Sequence, residues 1–174
     1  ELHNPGPGAV DLAGYSLAQS PKSPRKFVFP SGSVVPAGGF LVVHADSGST
    51  PGLHTGFGLS QSGDAVYLYD THTNLQDYVE FGLQLADFSI GRVAIPGPDG
   101  RSNPATPSAS GWTLCEPTFG QANLPAPLGD PRRLRITEWL TSPAVQFTDD
   151  YIELNNPEAV PVELAELAES LNDM

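Results

Sequence analysis

Four histidines, one cysteine, five tyrosines and a scatter of aspartates are the residues of this chain that could carry chemistry. His3, His44, His54 and His72 lie apart on loops and strand ends, and neither Gly-x-Ser-x-Gly nor His-Glu-x-x-His occurs. Hydrolysis by a nucleophile also needs a base and an orienting acid, and no such set stands out by spacing. Cys115, next to Trp112 and Leu114, reads as a small buried hydrophobe. As the sole cysteine it rules out an intrachain disulfide and a Cys-based metal site. His44 and His54 lack the spacing of a zinc ligand pair. The sequence points away from an enzyme and implies no cofactor.

Calcium is the inorganic alternative. Asp46, Asp64, Asp70 with Asp77 across a hairpin, and Asp149-Asp150 are oxygen donors on loops. No EF-hand or Asp-rich nonapeptide pattern organises them, and acidic turn residues ordinarily close Asx-turns or face water. Tyr67, Tyr69 and Tyr78 form a possible ligand face for a glycan or protein, or else cover a sheet with their hydroxyls in water. Lys22, Arg25 and Lys26 form the basic cluster of the first half, read as a solvated loop edge rather than an anion site. The net charge of −12 argues against a nucleic-acid partner. No apolar run approaches the roughly 20 residues of a membrane span, so membrane insertion is not expected. No signal peptide is visible, and the chain opens at Glu1 without Met, as a fragment or mature form would.

The elements that must position these residues are strands. Phe27 to Val43, FVFPSGSVVPAGGFLVV, alternates Val, Phe and Leu with Pro and Gly, which is strand-and-turn composition. Before it, Leu2 ends a strand at Asn4-Pro5-Gly6, and Val10 to Leu17 forms a strand interrupted at Gly14. AVYLYD (65–70) puts Tyr67 and Tyr69 on one face and Val66 and Leu68 on the other. THTNLQ (71–76) turns the chain and DYVEFG (77–82) returns antiparallel. LADFSIGRVAI (85–95) is a further strand with Gly91 at a bulge or bend. Pro96 to Gly111 is a long loop. The predicted core holds Tyr15, Phe27, Phe29, Phe40, Leu41, Val43, Leu68, Phe81 and Trp112. Residues 1–123 form one domain, 124–133 a Pro-rich linker, and 134–174 a further segment.

That segment restates the start of the chain. Glu153-Leu154-Asn155-Asn156-Pro157 repeats Glu1-Leu2-His3-Asn4-Pro5, and Val162, Leu164 and Ala165 repeat Val10, Leu12 and Ala13, seven identities in 17 positions at an offset of 152. A fixed period marks an array. The repeat implies that residues 134–154 are the strands that precede Glu1 in a complete copy. A sandwich opening at Glu1 leaves an edge open to strand addition. Leu134, Ile136 and Glu138 alternate with Arg135, Thr137 and Trp139. With Tyr151, Ile152 and Leu154 they are the candidate donated strands, pairing with their own domain or with another chain; the alternative is a tandem module cut at an arbitrary boundary. The tail 160–174 combines a strand expected from the repeat with a Leu164/Leu167/Leu171 stripe suited to a short helix.

Glu1-Leu2-His3-Asn4-Pro5, Val10 to Leu17, FVFPSGSVVPAGGFLVV, Leu59 to Asp70, Asp77 to Gly82, Ser89 to Arg92 and Trp112 to Asn123 together resemble the lamin tail domain. The resemblance covers 1–123 and begins again over 134–165. It implies an all-β, immunoglobulin-like β-sandwich with its first strands displaced to the C-terminal segment. It also implies a non-catalytic structural or interaction module of an exported bacterial protein, extracellular or at the cell surface. The expected partner is the chain itself, as a homo-oligomer or filament, or a neighbouring repeat. The alternative is an extracellular glycan- or protein-binding module. A structural assembler loses its oligomers when 134–174 is removed, whereas a binder loses saturable affinity on Tyr67→Ala.

Overall fold

The computed structural model describes residues 1–93, 111–141 and 149–164. Within them the chain is all-β, built from short strands and a 3-10 turn. It divides into two compact units, Glu1–Pro125 and Ala126–Met174.

The first unit runs through β1 (Leu2–His3), β2 (Val10–Asp11), β3 (Ser16–Ala18), β4 (Phe27–Val28), β5 (Val34–Val35), β6 (Phe40–Leu41) and β7 (Val43–His44). It continues with β8 (Leu53–His54), β9 (Asp64–Tyr69), β10 (Leu75–Phe81), β11 (Ser89–Arg92), β12 (Trp112–Glu116) and β13 (Leu124–Pro125). The largest sheet has the order β10-β9-β3-β4, and smaller ones pair β1 with β6, β2 with β5, β7 with β8 and β11-β12-β13. All pairs are antiparallel except β7–β8. Pro and Gly part β4, β5 and β6 within the run from Phe27 to Val43, because Pro lacks the ladder N–H and Gly38 sits at φ 63° in the turn before β6, while β6 and β7 part at Val42, where pairing passes from β1 to β8.

The core forms where two layers meet. Leu17, Phe27, Val66 and Leu68 come from the four-stranded sheet, while Leu2, Val35, Leu41, Val43 and Leu53 face them from the small sheets. Phe29, 2% exposed, fills the centre with Leu12 and Phe57. Phe57 is a core residue that the loop-like composition of 44–58 conceals. Three residues expected in the core lie outside its cluster. Phe81 ends β10 half-buried, Phe40 stacks on His3 at 4.5 Å, and Trp112 lies under the Arg92 guanidinium at 4.6 Å.

Several boundaries differ from the sequence expectation. Val10 to Leu17 is two strands, because Tyr15 N–H closes a turn on the Leu12 carbonyl. The strand expected over 85–95 begins at Ser89, since Asp87 takes a positive φ of 63° and Leu85 is exposed. Gly91 is no bulge. Its ladder with β12 is unbroken, and its need for glycine is close approach, a Cβ there lying 2.5 Å from Asn123 Cγ. Residues 96–110 of the predicted loop fall outside the described residues. The expected linker begins as β13, paired with β12 through Cys115↔Pro125 and Glu116↔Leu124.

The second unit opens with a 3-10 turn at Pro131–Arg133, capped by the Asp130 carboxylate, which accepts the Arg132 N–H. Gly129 N–H donates to the Pro161 carbonyl at 2.8 Å, and Arg133 pairs with Glu158 at 3.1 Å. Then β14 (Arg135–Leu140) and β15 (Tyr151–Asn155) form an antiparallel two-stranded sheet. Residues 161–164 have no regular structure, and the helix considered for the rest of the tail lies outside the described residues.

Candidate functional site

Among the described residues, the β14–β15 hairpin gathers exposed large apolar side chains on neighbouring strands. Its register pairs Ile136↔Leu154, Glu138↔Glu153, Trp139↔Ile152 and Leu140↔Tyr151, with Thr137 as an extra residue between the first two pairs. Residues directly opposite share a face and successive pairs alternate. One face is therefore Ile136, Leu154, Trp139 and Ile152, while Glu138, Glu153, Leu140 and Tyr151 take the other.

This corrects the expected alternation, which placed Ile136 with Glu138 and opposed both to Trp139. A bulge inserts one residue and shifts the phase of everything after it. Thr137 is that residue, and its hydroxyl is held by the Glu153 carboxylate. Without the bulge Ile136 and Trp139 would point to opposite sides. Their shared face is open: Ile136 is 64% exposed, Trp139 69%, Ile152 68% and Leu154 50%. The other face is polar and internally bonded. Glu138 accepts from the Tyr151 hydroxyl, which raises the phenol's pKa. Leu134, also a candidate donated residue, caps the 3-10 turn and lies half-buried before the hairpin.

The repeat of Glu-Leu-x-Asn-Pro is reproduced in geometry. Asn4 Nδ2 donates to the Gly8 carbonyl at 2.8 Å, and Gly6 N–H donates to Asn4 Oδ1 at 3.0 Å. Asn156 Nδ2 donates to the Val160 carbonyl at 2.8 Å, and Glu158 N–H donates to Asn156 Oδ1 at 3.0 Å. Each partner sits 152 residues from its counterpart. The copies differ in what surrounds them. Asn4 is buried and also donates to the carbonyls of Val35 (3.2 Å) and Pro36 (3.0 Å), while its own N–H donates to Gly39. Asn156 is exposed, and among the described residues it has only the two turn bonds.

The tyrosines form a row. Tyr67 stacks between Tyr69 (6.3 Å) and the cross-strand Tyr78 (5.9 Å), with interplanar angles of 22° and 9°. Rings stacked this way turn their faces to one another. Tyr69 is buried, and Tyr78, more than half exposed, is the open end of the row. The Tyr67 hydroxyl donates to Glu80 at 2.5 Å, which pushes its pKa up to about 12.

The polar residues singled out by sequence are each engaged locally. Asp70 accepts from the backbone N–H groups of His72 and Asn74 and from the Asn74 side chain, closing the hairpin turn. Asp64 accepts from Ser60 N–H, Ala65 N–H and Gln19. Asp77 forms a bidentate pair with Arg92, both bonds at 2.8 Å. Asp149 and Asp150 immediately precede β15. No group of three or more acidic, His or Cys side chains suited to a metal exists among the described residues. Lys26 donates to Gln19 and lies over Phe57, while Arg25 reaches the Gly14 carbonyl. Cys115 is buried, and desolvation pushes its thiol pKa up.

Sequence reasoning missed one cluster. His54 Nδ1 faces the Asp46 carboxylate, and Nε2 faces the Thr50 carbonyl at 2.9 Å, with the Thr50 hydroxyl at 3.3 Å. The order Asp46–His54–Thr50 imitates a catalytic relay. Nδ1 faces a carboxylate and Nε2 a backbone carbonyl, however, an arrangement that favours the protonated ring and raises the His54 pKa, the Asp46 bond first. Its effect is to clasp the loop from Ala45 to Gly52. His54 lies eight residues from Asp46 in a loop of Ser, Gly and Thr, a spacing with no recognised motif.

Residues 1–82 match the family model described as Lamin Tail Domain. No curated protein and no solved structure matches the chain.

Proposed function

We propose, starting from residues 1–82 as a lamin tail domain of immunoglobulin-like fold, that this chain is a non-catalytic structural module of an exported tandem-repeat protein. Its second unit is the opening of another lamin tail copy, and strands within 134–154 join molecules head to tail. The observation that supports this best is Asn156, which repeats the turn bonds of Asn4 at the offset of 152, directly after a hairpin whose Ile136/Trp139/Ile152/Leu154 face is exposed. The motif that anchors β1 to its sheet has been placed on a hairpin with an uncovered apolar face. A contact between two different surfaces propagates into a filament where its rotation does not close a ring, and the filament is the assembly proposed. An extracellular or surface location accords with the lamin tail domains of exported bacterial proteins that the sequence resembles.

Light scattering on the whole chain tests the reading. Mass should rise with concentration and fall back to the monomer in Ile152→Asp, which places a charge on the open face. A monomer at every concentration contradicts it. The alternative, a binding module gripping a glycan or protein through Tyr67, Tyr69 and Tyr78, places the contact at Tyr78. Saturable binding of a wall polysaccharide, lost in Tyr78→Ala, would favour that reading instead.

A further inference from the structure

We propose that the hollow beside the loop joining β3 to β4 binds a phosphate or sulfate group, free or carried on a polymer. This goes beyond the structural role above and does not depend on the hairpin. By sequence Lys22, Arg25 and Lys26 are a solvated loop edge; the structure adds a concave wall and holds two of the three cations in place. The hollow encloses about 550 Å³, a volume usual for ligand sites, and is lined by Gln19, Ser20, Ser23, Pro24, Arg25 and Lys26. The loop behind it is tied down. Pro21 and Pro24 fix two of its φ angles. Ser23 N–H donates to the Ser20 carbonyl at 3.1 Å, and Lys22 N–H donates to the Ser20 hydroxyl at 3.3 Å. The hydroxyl of Ser16, fully buried on β3, donates to the Pro24 carbonyl at 2.8 Å and so anchors the loop to the largest sheet.

Charge is what the loop leaves unmet. Both lysines of the chain fall within it, with Arg25 between them, in a sequence of twenty acids and eight Lys and Arg residues. Among the described residues the ion pairs are His54–Asp46, Arg92–Asp77 and Arg133–Glu158, none of them here. Lys26 Nζ donates to Gln19 Oε1 at 2.6 Å and lies over the Phe57 ring at 4.7 Å, while Arg25 Nη1 donates to the Gly14 carbonyl at 3.3 Å. Asp64 is kept one step away, because the Gln19 amide stands between, accepting from Lys26 and donating to Asp64 at 2.9 Å. Both cations therefore meet neutral oxygens, and each keeps donors in reserve, a guanidinium having five N–H groups and an ammonium three. The Ser23 hydroxyl adds another donor to the lining. An oxyanion with several acceptor oxygens can take the guanidinium fork and the ammonium together, which a neutral sugar cannot. Cations already positioned lose less freedom on binding. The net charge of −12 repels a polyanion elsewhere on the surface and makes the attraction at this loop dependent on salt.

Amide NMR of the whole chain, titrated at fixed ionic strength with inorganic phosphate, inorganic sulfate and dextran sulfate, tests the site. Saturable shifts at Ser20, Ser23, Arg25 and Lys26 are expected. Saturation by the inorganic ions supports the site with a free ion as its source, and saturation by dextran sulfate alone supports it with a polymer as its source. Arg25→Gln should weaken binding about tenfold, the loss of a charge-assisted hydrogen bond. Arg25→Lys should recover part of that, since charge returns without the fork. Lys22 lies in the loop but outside the lining, so Lys22→Gln should change affinity by less than about twofold. If Arg25→Gln moves the Phe29 amide, and with it the core, Lys26→Gln takes its place. Shifts that do not saturate, shifts matched by chloride, or equal losses in Lys22→Gln and Arg25→Gln would overturn the site and leave the cluster a solvated loop edge.

Discussion

Asn4→Ala and Asn156→Ala are the same substitution at equivalent positions of the repeat, and their costs should differ severalfold. Asn4 is 7% exposed. Its side chain makes bonds to Gly6, Gly8, Val35 and Pro36 at 3.0, 2.8, 3.2 and 3.0 Å. At about 1 kcal/mol net per bond, with the buried Val35 carbonyl left unpaired, its loss costs about 3–4 kcal/mol. Asn156 gives up two exposed turn bonds, which cost about 0.5–1 kcal/mol because water replaces them. For a unit of this size the Asn4 loss corresponds to a fall in Tm of about 10 °C. Urea unfolding of dilute chain reads the Asn4 cost through Trp112 in a Trp139→Phe background and the Asn156 cost through Trp139 in a Trp112→Phe background. Equal costs at the two sites, or an Asn4→Ala cost below about 1 kcal/mol, would refute the view that one copy is docked and the other is waiting.

The loop clasp should depend on pH in a defined window. Its Asp46 bond and then its Thr50 contact raise the His54 pKa, so that contribution is full below the usual histidine value and is lost as pH rises through the raised one. The His54 bond and then Gly48 N–H lower the Asp46 pKa, so its contribution is present above the usual carboxylate value and lost as pH falls through the lowered one. An NMR titration placing His54 at or below about 6.5 in the native chain, or unmoved by Asp46→Asn, would contradict the clasp. The Tyr67 phenol should ionise near about 12, moving back toward 10 in Glu80→Gln, as read from its ultraviolet absorbance. Phe29→Ala should cost about 3–5 kcal/mol in the same urea assay, whereas a cost below about 1.5 kcal/mol would displace Phe29 from the centre of the core.

Composition and punctuation carried much of the fold. The alternation in 65–70 was readable because one face is core and the other is a tyrosine row, and Pro and Gly marked nearly every turn before Val43. The misses have physical causes. Phe57 lies in a polar loop, and only tertiary contact shows that the loop folds it inward. Thr137 is invisible as a bulge because Thr suits a regular strand equally well, yet it reverses the phase of every later residue in β14. The duplicated Asn was legible, but its meaning was not. The motif is the same in both copies, and only its surroundings distinguish a docked strand from an undocked one. Asp46 and His54 were each noted alone, and the loop path that joins them has no local sequence rule.

The most direct test of the whole account is the fluorescence of Trp139 as a function of chain concentration in a Trp112→Phe background. In the isolated chain this indole is more than two-thirds exposed, so emission begins red-shifted. If the hairpin face closes on another molecule, emission moves to the blue along the same concentration curve as the mass from light scattering. Emission that stays red while the mass rises would place the assembly contact elsewhere, and a constant monomer mass would contradict the account altogether.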